Sequence, residues 1–427
     1  MRRYYSTLLV SLLVLIPAVH AQDGAFRFPM PEFESGYHHP EQVFPGADLT
    51  NPRVDVLVLA VVLALSAWFV LRRRNRRELL ALTVFSLVYF GFWRQGCVCS
   101  VGSLQNIAAS LVDPTFPVPW VVLLFFLLPL IAALFFGRVF CAAACPLGAI
   151  QELFTLWPLQ LPRPLDRVLR LFPYLYLGLA LLSVFLDSGF LICAYDPFIG
   201  FFRQGGSFNM LLAGALLLTA GIFIGRPYCR YLCPYGVLLS WMSTFSKWHL
   251  RIPEKACIQC KLCEEACPYG AIDFPVTEAA PLTRHAGARQ LMLFTVLTPL
   301  VILLCAWIGM MSHVYLARIH SDIRLTERIL AEERGEVEGM TIESEAFRSG
   351  NTTIPALLES AGKIQEQYKR GSAWLGAFMG LVIMVMIIRL SLVRHRVDYE
   401  ANKTHCVSCA RCFAYCPVEE EAGCVTQ

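Results

Sequence analysis

Gly137-Arg138-Val139-Phe140-Cys141-Ala142-Ala143-Ala144-Cys145-Pro146-Leu147-Gly148-Ala149-Ile150 returns almost unchanged as Gly225-Arg226-Pro227-Tyr228-Cys229-Arg230-Tyr231-Leu232-Cys233-Pro234-Tyr235-Gly236-Val237-Leu238. The shared pattern is G-R-x-x-C-x-x-x-C-P-x-G followed by two aliphatic residues. Each copy closes a pair of apolar segments that leave one side and return to it. The outer turn of the first pair carries Cys97 and Cys99, and that of the second carries Cys193. This reads as a tandem duplication of a helical hairpin. Two copies of the same orientation are related by a pseudo-two-fold axis along the membrane normal, and such an axis brings the two inner cysteine pairs face to face.

Working outward, the chain has 427 residues, 56% hydrophobic and only 16% charged. Apolar segments at 54–71, 78–93, 118–136, 171–190, 209–225, 290–310 and 373–392 approach the ~20 residues a helix needs to cross the hydrocarbon layer. Arg2 and Arg3 ahead of the apolar stretch Leu8–Val19, with small residues at Ala18 and Ala21, read residues 1–21 as a signal peptide. Residues 22–53 are then an external, periplasmic segment. Its His38 and His39 read as solvated loop residues. Threading the seven segments from an outside start puts the arginine clusters at 72–77, 137–170 and 393–396 inside, as the positive-inside rule requires. The net charge of +4 is topology charge of this kind. No basic patch interleaved with aromatics appears, so nucleic acid is not an expected partner.

Seventeen cysteines are many, and most fall in metal-ligand spacing rather than scattered as in a disulfide framework. Cys257-x2-Cys260-x2-Cys263-x3-Cys267-Pro268 recurs as Cys406-x2-Cys409-x2-Cys412-x3-Cys416-Pro417. This is the bacterial ferredoxin spacing, in which three thiolates wrap one 4Fe–4S cluster and the fourth ligates the other cluster. The expected ligand sets are Cys257, Cys260, Cys263 and Cys416 for one cluster, and Cys406, Cys409, Cys412 and Cys267 for the second. The two halves, 251–289 and 393–427, are separated by a span (290–310), an outer helical segment (311–372) and another span (373–392). Span counting puts both halves inside, where reducing conditions suit thiolate clusters.

Cys141, Cys145, Cys229 and Cys233 are less specific. At i and i+4 the members of each pair share a face if the stretch is helical. The pentapeptide-like runs after Cys145, Cys233 and Cys267 are nearly identical, so each pair looks like the second half of a ferredoxin motif. Either the four thiolates hold an additional cluster, with Arg138 and Arg226 offsetting its charge, or each pair marks a tight helix junction with unliganded thiols. Cys97, Cys99 and Cys193 near the outer face read as ligands of a further redox centre, as a disulfide or redox-active dithiol, or as inert thiols. Cys305 in an apolar span reads as packing, and Cys424 has no assigned role.

Other signals are weak or missing. Ser349-Gly350-Asn351-Thr352-Thr353 lacks the Ala of the Ser-Gly-Ala-Thr flavin-attachment pattern, and no FMN-binding fold surrounds it. No C-x-x-C-H, no pair of histidines within the spans, no P-loop and no G-x-G-x-x-G after a strand occurs. Asp187, Asp196 and Arg203 flank an outer span end; they mark a quinone or proton site or merely end the helix.

The doubled G-R-x-x-C-x-x-x-C-P on apolar segments, followed by paired ferredoxin motifs, resembles the NosR/NapH-type family of polytopic iron–sulfur proteins over roughly residues 78–427. The resemblance carries over Cys141, Cys145, Cys229, Cys233 and the eight ferredoxin cysteines. It implies electron transfer in a respiratory chain of the bacterial inner membrane, between a quinol pool or a cytoplasmic donor and a periplasmic acceptor. With a short external segment before the first span, the architecture looks NapH-like, and an FMN or cytochrome step would belong to a separate periplasmic partner. The expected fold is an all-α polytopic membrane protein with about seven transmembrane helices, the duplicated domain at 54–250, and a small cytoplasmic ferredoxin-like domain of two 4Fe–4S clusters assembled from two separated segments. Quinone is a cofactor on this reading, and quinol dehydrogenase activity stays open. Two alternatives are a redox assembly or regulatory factor like CcoG, and a subunit of an ion-coupled complex like Rnf or Nqr.

Overall fold

The computed structural model describes residues 52–96, 99–252, 257–276, 284–350, 353–391, 396 and 398–417. The expected signal peptide, most of the 22–53 segment with His38 and His39, and also Cys97 and Cys424, lie outside the described residues. The chain is mostly helical. In order the helices are α1 Pro52–Trp68, α2 Arg76–Ser86, α3 Ser100–Val112, α4 Trp120–Phe136, α5 Pro146–Phe154, α6 Arg163–Leu169, α7 Phe172–Phe185, α8 Leu191–Tyr195, α9 Ile199–Arg203, α10 Phe208–Phe223, α11 Pro227–Tyr231, α12 Pro234–Thr244 and α13 Leu262–Glu265. Then follow strand β1 Ile272–Asp273, helices α14 Arg284–Met311, α15 His313–Ala317, α16 Ser321–Glu333, α17 Ile342–Ser349 and α18 Ile354–Ser391, strand β2 Glu400–Ala401 and helix α19 Arg411–Ala414.

Among the described residues four helices are long and apolar enough to cross a membrane: Pro52–Arg73, Arg163–Phe185, His285–Met311 and Ile354–Ser391. Two shorter apolar helices, Trp120–Phe136 and Phe208–Phe223, match the expected segments 118–136 and 209–225. The expected segment 78–93 is α2 running on into wider π turns over Leu87–Trp93. The outer turn 94–117 is not a bare loop, because α3 occupies most of it.

Helices α14 and α18 form an antiparallel hairpin whose seam is made of small residues. A side chain at Gly376 would run into the backbone of Cys305 and Ala306, and one at Gly380 would stand 2.9 Å from Ile302 Cα. Close backbone approach of this kind is how helices associate where lipid removes the usual hydrophobic drive. Cys305 sits in this seam, in keeping with its reading as a packing residue. The far face of α14 exposes Leu291, Leu293, Val296, Leu300, Leu303 and Trp307, the surface a helix turns to hydrocarbon. At 38 residues, α18 is ~57 Å long, so it also supplies part of the outer segment. The rest of that segment folds as short polar helices; Thr341 and Ser344 form a capping box that starts α17.

The hairpin returns the chain to where it left. Strands β1 and β2 pair antiparallel, with Ile272 opposite Ala401 and Asp273 opposite Glu400, and Val276 bridges Arg396. The Arg396–Asp273 ion pair, at 2.7 Å, closes the same junction. Two ferredoxin halves far apart in sequence are thus one unit.

Candidate metal centres

The C-x-x-x-C-P stretches do not put both cysteines on one helix face, contrary to the helical reading. In each copy the amide of the second cysteine bonds to the carbonyl five residues back: Cys145 to Phe140 at 3.0 Å, Cys233 to Tyr228 at 2.8 Å. The second cysteine is extended, with φ −82° and ψ 118° at Cys145 and φ −65° and ψ 111° at Cys233. Proline is the cause. It disfavours a helical conformation in the residue before it and suits the first position of the helix it opens. Each copy therefore makes one wide turn, releases its cysteine, and starts α5 or α12.

The two copies meet by exchanging parts. The Arg226 guanidinium of the second copy donates to the carbonyls of Cys141 and, at 3.2 Å, Ala142 in the first. It lies against Gly148, where any Cβ would stand 3.2 Å from its Nη1. Reciprocally, Arg138 of the first copy lies against Gly236 of the second, where a Cβ would stand 3.3 Å from its Nη2. The conserved spacing between arginine and glycine within each copy is explained by contact between copies. Cys141, Cys145, Cys229 and Cys233 come together here, close enough for charge on each to act on the others. Arg138 donates to Cys141 Sγ at 3.7 Å and Gln151 to Cys229 Sγ at 3.3 Å.

The ferredoxin cysteines line two adjacent recesses. Cys257, Cys260, Cys263 and Cys416 surround one, with Ile252, Ile258, Tyr399 and Phe413. Cys267, Cys406, Cys409 and Cys412 surround the other, with Leu250, Ile272 and Val407. Cys412 borders both. Cys99 stands at the start of α3 and lines a small apolar cavity with Cys145, Phe90, Phe125 and Phe140. Cys193 Sγ lies beside Gly102, 3.2 Å from where a Cβ would be. Gln105 fixes that arrangement by accepting from Ile192 N at 2.7 Å and donating to Ala180 O at 2.9 Å. Apart from Cys193, the described cysteines are free thiols. Asp196 is buried and accepts from Phe198 N at 2.9 Å.

One carboxylate that the sequence reading passed over ties these groups together. Glu152 Oε1 accepts from Arg76 Nη2 at 2.8 Å and from Arg411 Nη2 at 2.9 Å; its Oε2 accepts from Arg226 Nε at 3.0 Å and from the Tyr269 hydroxyl at 2.7 Å. Burial alone would raise this carboxyl, but Arg411, Arg226 and Arg76 outweigh it and hold Glu152 well below the usual range. Arginines from the inner segments clamp the ferredoxin unit in the same region. Arg76 donates to Cys409 O at 3.0 Å, Arg138 to Thr404 O at 3.2 Å, Arg170 to Tyr269 O at 3.0 Å and Arg230 to Pro268 O at 2.9 Å. Charges read from sequence as topology signals, and Arg138 also as offsetting a cluster's charge, are docking contacts as well.

The donor sets fit iron–sulfur centres. Burial pushes the Cys406 thiol up to about 12 and the Cys263 thiol up to about 11, and raises Cys412 and Cys267 as well. Thiols packed so stay protonated unless a cation replaces the protons, which is what metal does. Among the described residues no three His, Cys, Asp or Glu side chains converge as ligands of a single ion. One donor at this group is left over: Arg138 Nε finds no acceptor among the described residues, although the residue is only 8% exposed.

Comparison with known proteins agrees. A family model described as a 4Fe–4S binding domain matches residues 118–163 and 207–253, one match on each copy of the repeat, and a second model of that description matches 250–273. YccM of Escherichia coli (strain K12), named as an electron transport protein, is 30% identical over 46% of this chain and 65% of its own length. NirI of Paracoccus denitrificans is 31% identical over 51% of this chain and 34% of its own. The regulatory protein NosR of Pseudomonas aeruginosa is 32% identical over 52% of this chain and 34% of its own. The chain thus spans about two thirds of YccM and about a third of NirI and NosR. No solved structure matches it.

A helical protein with helices long and apolar enough to cross a membrane, and with cysteines gathered in fours where 4Fe–4S domain models match, is an iron–sulfur protein. Within that class the similarity to NirI and NosR and the 4Fe–4S domain matches support the NosR/NapH-type family.

Proposed function

We propose that this protein carries single electrons across the bacterial inner membrane, from a quinol pool or a cytoplasmic donor to a periplasmic acceptor in a respiratory chain. The observation that supports it is the order of the cysteine groups. The recess of Cys257, Cys260, Cys263 and Cys416 abuts that of Cys267, Cys406, Cys409 and Cys412 through Cys412. Glu152 joins the second recess to the four-cysteine group of the repeats. Cys145 of that group shares a cavity with Cys99 toward the outer face. Seven spans with both ferredoxin halves on the cytoplasmic side give this series its direction across the bilayer.

Each of the first three cysteine groups would hold one 4Fe–4S centre, the two ferredoxin groups in the crossed ligation of a two-cluster ferredoxin. Bound there, such a centre supplies one-electron chemistry that side chains lack. The residues of the chain do the rest. Leu250, Ile252, Ile272 and Tyr399 keep water from the recesses. The amides of Ala271 and Ser408, each 3.4 Å from Sγ of Cys267 and Cys406, and Gln151 at Cys229 place hydrogen bonds on the sulfurs that would carry charge. The arginines supply positive charge where thiolates would be buried.

Anaerobic purification with iron and sulfide counting and low-temperature EPR tests the reading. Three centres mean ~12 irons per chain and the ferredoxin pair alone ~8. In proteoliposomes, an enclosed low-potential donor should reduce an impermeant external dye, and Cys141→Ser should abolish this. Protein without paramagnetic iron after dithionite would end the proposal.

A further inference from the structure

Every partner of Glu152 belongs to the surroundings of one of two centres. Arg226 reaches the carbonyls of Cys141 and Ala142 in the repeat group. Arg411 lies between Cys409 and Cys412, Arg76 donates to Cys409 O, and Tyr269 follows Cys267 by two residues. Among the described residues no partner of Glu152 comes from the Cys257–Cys263 loop. Glu152 is 4% and Arg226 1% exposed, so water screens this group little. One negative charge here faces three guanidinium groups.

We propose that Glu152 is the positioning residue that holds down the reduction potentials of the repeat centre and of the adjoining ferredoxin centre together. Reduction adds a negative charge, which nearby positive charge favours. The three arginines therefore raise both potentials, and the carboxylate subtracts from that effect at both. It also fixes the guanidinium groups in one geometry, so both centres experience the same field. The position equivalent to Glu152 in the second copy is Ser240, a neutral residue that donates to Thr404 O at 2.8 Å. The charge thus sits on one side of the pseudo-symmetric pair.

The inference rests on the iron–sulfur reading, and the test separates the two. Wild type, Glu152→Gln and Glu152→Asp are purified anaerobically as full chains, iron is counted, and the centres are titrated by EPR. Glu152→Gln should keep its iron and shift the midpoints of two centres in the positive direction, leaving the centre of Cys257, Cys260, Cys263 and Cys416 unmoved. Glu152→Asp should restore both midpoints toward wild type. A purely structural residue would lose iron or occupancy without a same-sign shift confined to two centres. Unshifted midpoints with full iron, a negative shift, or an equal shift of the third centre would overturn the assignment. Should Glu152→Gln lose iron, Arg411→Gln decides: the adjoining ferredoxin midpoint should move negative, and an unmoved midpoint refutes the idea. A wild type without iron–sulfur signals refutes the underlying reading instead.

Discussion

The α14–α18 hairpin can be tested at Gly376. A methyl group there would stand 2.8 Å from the carbonyl carbon of Cys305 and 3.0 Å from Ala306 Cα. Both are backbone atoms, so no rotamer change relieves the clash. Ordinary contact begins at 3.4 Å, so the helices must part by at least the 0.6 Å difference. Overpacking of this kind costs about 1–3 kcal/mol. A gap of that size also forfeits roughly a quarter of the dispersion energy along the seam, where Gly309 and Gly380 make the same close approach. Alanine returns about 1 kcal/mol of helix propensity. The expected net loss for Gly376→Ala is about 1–2 kcal/mol. Because this hairpin brings the ferredoxin halves together, the loss should appear as early release of iron in thermal unfolding, followed by cluster absorbance in detergent. Gly362→Ala in the same helix meets nothing within 4 Å and should be neutral or stabilising. Equal melting of Gly376→Ala and wild type, with iron retained, would refute the claim that this seam positions the two halves.

Further outcomes follow from the cysteine groups. Cys416→Ala should perturb the centre held mainly by Cys257, Cys260 and Cys263, visible by EPR; loss of only the other ferredoxin signal would contradict crossed ligation. Gln151→Leu removes the 3.3 Å bond to Cys229 Sγ and should lower the repeat centre's midpoint by ~40 mV, taking ~1 kcal/mol per hydrogen bond and one electron; a rise would contradict the contact. His249 is held down to about 4 by burial, then by Lys403 and Arg251. The unfolded chain then binds the proton more readily, so stability falls as pH drops from about 6.5 toward 4. His249→Leu should flatten that part of a stability–pH curve, and an unchanged slope would rule His249 out as its source.

Much of this architecture is legible in one sequence because its signals are local. The ferredoxin spacing names its own chemistry, and proline after Cys145 and Cys233 dictates where helices α5 and α12 begin. Apolar length locates α1, α4, α10, α14 and α18. What is not legible depends on pairing across the repeat. Arg138 and Gly148 look like parts of one motif, yet each contacts the other copy. Glu152 carries no motif at all; one acidic residue after an aliphatic pair gives no sign that three arginines and a tyrosine will converge on it. The one available cue was its place two turns beyond a C-P junction, where an unpaired charge on a buried helix would be costly. The helix in the outer turn, α3, was hidden because its Gly, Ser and Ala content reads as loop.

Duplication explains why the buried group has its shape, and divergence explains why it docks one way. Two equal copies would present two equal faces to the ferredoxin unit. Here Arg138 and Ser240 both bond to Thr404 O, while Arg226 turns to Glu152 and through it to Arg411 and Tyr269. Both copies thus grip the second ferredoxin half, and they hold the first by different means, Glu152 through Tyr269 and Arg230 through Pro268 O. That asymmetry brings the recess of Cys267, Cys406, Cys409 and Cys412 against the repeats and leaves the other recess outermost. A symmetric scaffold thereby acquires an ordered series of redox sites. The order resides in a few polar residues, so exchanging Glu152 and Ser240 should weaken docking of the ferredoxin unit more than either single change. Limited proteolysis between residues 251 and 289 measures this directly; a double exchange as resistant as wild type would show that the asymmetry lies elsewhere.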